Sequence, residues 1–256
     1  QDAEIKYYLP STPKKLSIKI IDSKKRTVLK KEGVLNPESD DDSPSWFGAD
    51  NKNPSMNSGL NSYKWNLRYQ GARDFQGMII WSAKPTLGPI APPGEYKVQL
   101  TVDNKMFESL FEVRKDPRIT VSDSIINEQF NFAMSIMMQT DLANKSVIEI
   151  RKIKEKLSDL LSSSSAAKSK KIKSLIYDLE KIESNIYQVN NQSGQDPLNF
   201  PIKVNNRLAY LRKSVESGDG LPTSGSIEVF EILKNELSVY VKQLKKLKKN
   251  LKPSFN

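Results

Sequence analysis

Apolar and polar positions alternate in the first half of the chain and recur at helical spacing in the second. Glu4-Ile5-Lys6-Tyr7-Tyr8-Leu9 alternates and stops at Pro10. Leu16, Ile18 and Ile20 alternate with Ser17, Lys19 and Ile21. Asp22-Ser23-Lys24-Lys25 then reads as a turn, with Thr27-Val28-Leu29 returning as a hairpin partner. Residues 31–58 are rich in Asn, Asp, Pro, Ser and Gly and read as a long surface loop. Strands are predicted again over residues 62–68, at Met78-Ile79-Ile80-Trp81, from Tyr96 to Val102, and from Phe107 to Val113. A Pro/Gly stretch from Pro85 to Gly94 precedes the third of these, and Asp103-Asn104-Lys105 turns the chain into the last. About seven short strands with turn signals between them predict an antiparallel immunoglobulin-like sandwich.

Past Asp116-Pro117 the period becomes 3.6. Ile126, Phe130, Ala133, Met137 and Thr140 begin a stripe that Ala143, Val147, Ile150, Ile153, Leu157 and Leu160 extend, with Ser122 or Asp123 as its cap. Ser162-Ser163-Ser164-Ser165 reads as a linker. A second stripe runs through Ile172, Leu175, Leu179, Ile182, Ile186 and Val189, and a shorter one through Val204, Leu208, Leu211 and Val215. Ser217-Gly218-Asp219-Gly220 stops that helix, and Pro222-Thr223 starts a last one carrying Phe230, Leu233, Leu237, Tyr240, Leu244, Leu247 and Leu251. Seams of three-four spacing with short connections predict an up-and-down helical bundle whose first helix is the longest. The expected organisation is therefore α+β in two domains: a sandwich over residues 1–117, with its long loop at 31–58, and a bundle of about four helices over 118–256.

Composition narrows the chemistry. The 256 residues contain no His and no Cys. That removes the Ser-His-Asp triad, the Cys-His dyad, the imidazole base, and the usual zinc, copper and haem ligand sets. Carboxylate chemistry and oxygen-ligand metal sites remain open. The chain carries a formal net charge of +10. Its lysines look dispersed and interleaved with acids, so a solvated surface is the preferred reading over a polyanion site. No stretch approaches the roughly 20 apolar residues of a membrane span. The start, Gln1-Asp2-Ala3-Glu4, lacks the basic, apolar pattern of a signal peptide. The expectation is a cytosolic chain, or one from which a signal peptide and further upstream residues have been removed.

Few residues stand out as a site, and no catalytic, metal or cofactor-binding residue is expected. Asp40-Asp41-Asp42 with Asp50 lacks calcium-loop spacing and reads as a solvated loop. Lys242, Lys245, Lys246, Lys248, Lys249 and Lys252 surround the leucine seam of the last helix and read as its solvated faces; nucleic acid is disfavoured because no aromatics interleave with them. Trp65 sits mid-strand and is expected in the core. Trp46-Phe47, in the long loop, is the candidate contact for a protein partner or a glycan.

Several strings resemble one family. Gly59-Leu60-Asn61 followed by Trp65-Asn66-Leu67-Arg68-Tyr69, then Pro92-Pro93-Gly94-Glu95-Tyr96, then Asp116-Pro117-Arg118, occur in its order and spacing. So do Asn205-Asn206-Arg207-Leu208-Ala209-Tyr210-Leu211, Glu216-Ser217-Gly218-Asp219 and Pro222-Thr223. From Ile5 onward the chain resembles the region that follows the propeller in bacterial secreted proteins with sortilin-like, Asp-box (BNR) β-propellers, often labelled glycosyl hydrolases. The first half also resembles the Ig-like domain of the flagellar hook-capping protein. Two departures matter: the Asp-box blades are absent, and Trp65-Asn66 stands where the family has Trp-Asp.

The resemblance implies a secreted, periplasmic or cell-surface location and a non-catalytic accessory role, with the chain's own upstream propeller or another protein as partner. Any hydrolase chemistry would belong to the propeller. A carbohydrate- or polyanion-binding module and a carboxylate-based glycosidase are the alternatives. The matching residues are scaffold residues: Gly59 and Gly94 as flexible strand entries, Pro93 extending the chain into Tyr96, and Pro117 ending sheet pairing.

Overall fold

The computed structural model describes residues 2–37, 52–161 and 165–251. Antiparallel sheets come first and four α-helices follow. The strands are β1 (Ala3–Leu9), β2 (Leu16–Asp22), β3 (Thr27–Glu32), β4 (Gly59–Trp65), β5 (Arg68–Gln70), β6 (Leu87–Ile90), β7 (Gly94–Val102) and β8 (Lys105–Val113). The helices are α1 (Asp123–Leu161), α2 (Ala166–Ile186), α3 (Val204–Val215) and α4 (Ser224–Leu251), with a short 3-10 turn at Asp196–Leu198. The first helix, at 39 residues, is the longest.

Two compact units interleave along the chain. One holds residues 1–71, 86–132 and 218–221; the other holds residues 72–85, 133–217 and 222–256. Elements change from strand to helix between Val113 and Asp123, around Asp116-Pro117. The units are drawn differently: the division runs inside α1, and the excursion 72–85 belongs with the helices.

In the first unit, β3-β2-β7-β8 form one four-stranded sheet, β1 pairs with β4, and β5 pairs with β6. Alternation decides the facing. Leu16, Ile18 and Ile20 of β2 and Tyr63 and Trp65 of β4 are all buried, while their sequence neighbours are more open. Trp65 ties the two larger sheets together: its ring lies 5.6 Å from Tyr96 and edge-on to Phe111 at 6.0 Å. Its indole N–H is not left unpaired, donating to the Arg68 carbonyl at 2.8 Å.

The short β5–β6 pair was not expected, since Leu87-Gly88-Pro89-Ile90 reads as turn sequence. It forms because Gly88 has no side chain. A Cβ there would lie 2.1 Å from the Tyr69 carbonyl oxygen.

In the second unit, apolar seams hold the helices. Ala133, Ile136, Ala143, Val147 and Ile150 of α1, Leu179 and Ile186 of α2, Leu208 of α3, and Leu233 and Leu237 of α4 are all essentially inaccessible. Ion pairs cross between them: Arg151–Glu183 at 2.7 Å, Lys154–Glu183 at 3.1 Å and Arg207–Glu236 at 2.9 Å. Val189, expected on the second seam, lies past the end of α2 and is exposed.

The strand predicted at Met78-Ile79-Ile80-Trp81 is not a strand. Its backbone groups are taken by side chains from helices and the residue that follows α2. The Ile79 N–H donates to the Tyr187 hydroxyl at 3.0 Å, and that hydroxyl donates to the Gly77 carbonyl at 3.0 Å. The Asn206 carboxamide accepts from the Trp81 N–H at 2.7 Å and donates to its carbonyl at 2.9 Å. Asn144, Arg151 and Lys213 donate to the carbonyls of Arg73, Gln76 and Ser82. With those partners in place, no sheet ladder is needed to satisfy the segment.

Candidate functional site

An open cavity of about 920 Å³ lies in the first unit between β1 and β8. β1 contributes Tyr7 and Leu9 to its lining, β7 Val98 and Leu100, and β8 Phe107 and Phe111. Glu4, Lys6, Lys105 and Glu108 contribute charge at its margins. Glu108 is engaged: Lys97 at 2.9 Å and Gln99 at 2.5 Å hold it, and the Lys97 ammonium keeps its carboxyl below the usual range.

Among the described residues β8 is an edge: its one sheet neighbour there is β7, and the nine-residue register between them runs without a bulge. Met106, Phe107 and Leu110 are 60%, 56% and 69% exposed. At the opposite edge of the same sheet, β3 carries Lys30, Lys31 and Glu32 and meets a register shift at Ile20/Ile21. Charge and bulges are the usual protection of an edge against a further strand. β3 has both; β8 also carries charge, at Lys105, Glu108 and Glu112, but its ladder is unbroken, with exposed Phe107 on the cavity side and exposed Met106 and Leu110 on the other face.

A second cluster in this unit is structural. Asp22 accepts from the Tyr69 hydroxyl at 2.8 Å, and from the Arg26 N–H at 2.8 Å and side chain at 2.6 Å. Burial pushes the Asp22 carboxyl up, but these donors outweigh it and hold it below its ordinary value. Burial and the bond to Asp22 push the Tyr69 phenol well up. The Arg26 guanidinium also lies over the rings of Tyr69 and Phe130, 5.7 and 5.4 Å from their centres. Both Asp22 oxygens and the Tyr69 hydroxyl are thereby engaged within the cluster.

The motif residues fall into separate places. Gly59 opens β4 at φ +100° and Gly94 opens β7 at φ +147°, both conformations that favour glycine. The Asn61 amide donates to the carbonyls of Asn57 and Gly59, and Arg68 to that of Gly88. Pro92 is buried and Pro93 half-buried, and the Tyr96 hydroxyl donates back to the Pro92 carbonyl at 2.7 Å. Asp116 and Arg118 form a local, exposed pair around Pro117. Asn206 and Leu208 are buried in the second unit. Asp219 is exposed beyond α3; Pro222 precedes Thr223, whose hydroxyl caps α4 by accepting from the Ser226 N–H at 3.1 Å.

Trp46 and Phe47, with Asp40, Asp41, Asp42 and Asp50, lie outside the described residues. Among the described residues, no group of three or more acidic side chains is placed to hold a metal ion. No helix among them is long and apolar enough to cross a membrane. Sequence reasoning did not single out Met106, Phe107 or Leu110. Alternation marks residues 107–113 as a strand, but nothing in it says which strand ends a sheet.

In comparisons with known proteins, no family model, no curated protein and no solved structure matches this chain.

Proposed function

We propose that this chain is a non-catalytic interaction region, an accessory part of a secreted or periplasmic β-propeller protein, which holds an extended strand of its partner against β8. The observation that carries the reading is the bulge-free edge of β8 beside the cavity: an incoming strand would gain main-chain hydrogen bonds along the edge and side-chain burial in the groove against Phe107 and Phe111. The motif strings from Gly59 to Thr223 support the link to a propeller.

The finer architecture belongs to the same proposal. A buried tryptophan packed across two sheets, and a tyrosine at a late strand entry whose hydroxyl bonds four residues upstream, are features of immunoglobulin-like sandwiches; Trp65 and Tyr96 have them. The connections after α1 and after α3, together with the three-four seams, support an up-and-down bundle.

The test adds the separately produced propeller, encoded upstream, to this chain and follows amide exchange and affinity. Protection concentrated on β8, with binding abolished in Phe107→Lys and Leu110→Lys variants of unchanged circular dichroism, supports the reading. Protection that falls on the helices, or full binding by both variants, overturns strand addition. An upstream gene without a propeller overturns the accessory role.

A further inference from the structure

We propose that one end of the helical unit is a docking surface for an anionic lipid bilayer, a role independent of the β8 groove. The lysines that look dispersed along the chain are gathered there by the fold. Three ion pairs set the level: Lys248 of α4 meets Glu149 of α1, and Lys154 of α1 meets Glu180 and Glu183 of α2 at 3.3 and 3.1 Å. The last part of α1, most of α2 and the last turns of α4 are therefore neighbours at one end.

Residues 149–161, 166–183 and 242–251 together hold fourteen Lys or Arg against six Asp or Glu, a net +8, in a chain whose whole formal charge is +10. Eleven of the lysines are exposed, among them Lys152 and Lys156 on α1, Lys170 and Lys173 on α2, and Lys245 and Lys249 on α4. Buried or half-buried cations balance the most enclosed acid: Glu183 takes both Arg151 and Lys154. The exposed charge is left strongly positive.

The kind of charge selects the partner. The one arginine in these segments, Arg151, is committed to Glu183, to the Gln76 carbonyl and to the faces of Phe75 and Tyr187. The exposed cations are all lysines. Lysine is a hydrated point charge on a flexible stem and makes no demand on the geometry of its counter-ion, whereas arginine supplies the planar fork that reads individual phosphates. A field of lysines spread over three helices suits a plane of mobile head groups. Single-stranded nucleic acid would want several stacking aromatics, which these segments lack, and a duplex, whose phosphates lysine can also meet, is the competing occupant that the test separates. Among the described side chains of these segments, Tyr177 is the one large aromatic that is exposed, and no large aliphatic one is. The contact is therefore adsorption without insertion, carried by electrostatics alone.

The full chain is co-sedimented with vesicles of phosphatidylcholine containing about one third phosphatidylglycerol, in parallel with pure phosphatidylcholine vesicles and a fluorescent DNA duplex. Binding to the anionic vesicles is expected, and it should be lost between about 50 mM and about 300 mM salt as screening shortens. Each lysine near such a surface is worth about fivefold in affinity, so a Lys245→Gln, Lys246→Gln, Lys249→Gln variant should bind about 100-fold more weakly. A Lys168→Gln, Lys170→Gln, Lys173→Gln variant should show a comparable loss from a different helix. Lys14→Gln, Lys15→Gln, Lys24→Gln, with the same change of net charge in the sheet unit, should leave binding intact. The proposal is overturned by no anionic-vesicle binding at low salt, equal binding to neutral vesicles, tighter binding to the duplex, or an equal loss in the sheet-unit variant.

Discussion

The side-chain amide of Asn206 pairs with both backbone groups of Trp81, accepting from its N–H at 2.7 Å and donating to its carbonyl at 2.9 Å. It does for one residue what a neighbouring strand would do. Asn205 accepts from the Asn206 N–H at 2.8 Å, and its own amide donates to Asn144 at 3.1 Å, so the pair sits in a buried polar chain. Replacing Asn206 with Ala removes both partners of Trp81 and should cost about 1–3 kcal/mol. Asn206→Asp keeps the acceptor but sets a buried carboxylate oxygen against the Trp81 carbonyl, and should cost at least as much as Ala. Urea unfolding measures the loss, and amide exchange at Trp81 should quicken in proportion. An Asn206→Ala protein as stable as the native one would show that the pairing is dispensable.

Trp65 is the largest fully buried side chain of the sheets and touches both Tyr96 and Phe111. Trp65→Ala leaves a void that two aromatic neighbours cannot close, with an expected cost of about 3–5 kcal/mol. Trp65→Phe should cost less, since it keeps ring contacts and loses the bond to the Arg68 carbonyl. Denaturant midpoints rank the two. Equal losses would mean that the indole hydrogen bond, and not ring packing, dominates.

Much of this fold is legible in local pattern. Leu16, Ile18 and Ile20 alternate because one face of β2 is buried, and Leu233, Leu237 and Leu244 recur at three-four spacing because one stripe of α4 is. What escaped is non-local. Met78 to Trp81 has strand composition, but its backbone partners are Tyr187 and Asn206, more than a hundred residues away. Leu87 to Ile90 looks like a turn, and only the close approach of Tyr69 makes Gly88 a strand residue. The same holds for function. Exposed Leu110 signals a site only because β8 turns out to be an edge, and scattered lysines become a patch only after α1, α2 and α4 are brought side by side.

Gly88 gives a sharp test of that close approach. A methyl group there would overlap the Tyr69 carbonyl at 2.1 Å and the Gln70 carbonyl carbon at 2.8 Å, both backbone atoms that cannot swing aside. Gly88→Ala should separate β5 from β6 and destabilise the protein by about 1–3 kcal/mol or more. Gly218, with open space around it, is the matched control, and Gly218→Ala should change stability little. Thermal unfolding of the two variants decides. A Gly88→Ala protein with a native melting point would mean that the β5–β6 approach is looser than described.

The acid and alkaline limbs of stability should trace to different groups. The Asp22 carboxyl is held below its ordinary value of 3.8: burial raises it, but the Arg26 N–H, the Tyr69 hydroxyl and the Arg26 side chain lower it further. Asp141 is lowered in the same way, burial being outweighed by the bonds from Arg73. A carboxyl lowered on folding stabilises the native state above its unfolded pKa, and that stabilisation is lost as pH falls through the folded value. Stability should therefore decline below about pH 4. The phenols behave oppositely. Burial pushes Tyr7 and Tyr96 up to about 12, and Tyr69 is raised as well, by burial first and by its bond to Asp22 next. Their contribution is complete below the unfolded value of 10.0 and is lost as pH rises through the folded values. Urea unfolding from about pH 2.5 to about pH 11 reads both limbs. Asp22→Asn should flatten the acid limb, and Tyr69→Phe the alkaline one. An Asp22→Asn protein with the native acid slope would remove Asp22 from the account and leave Asp141 as the carboxyl to test.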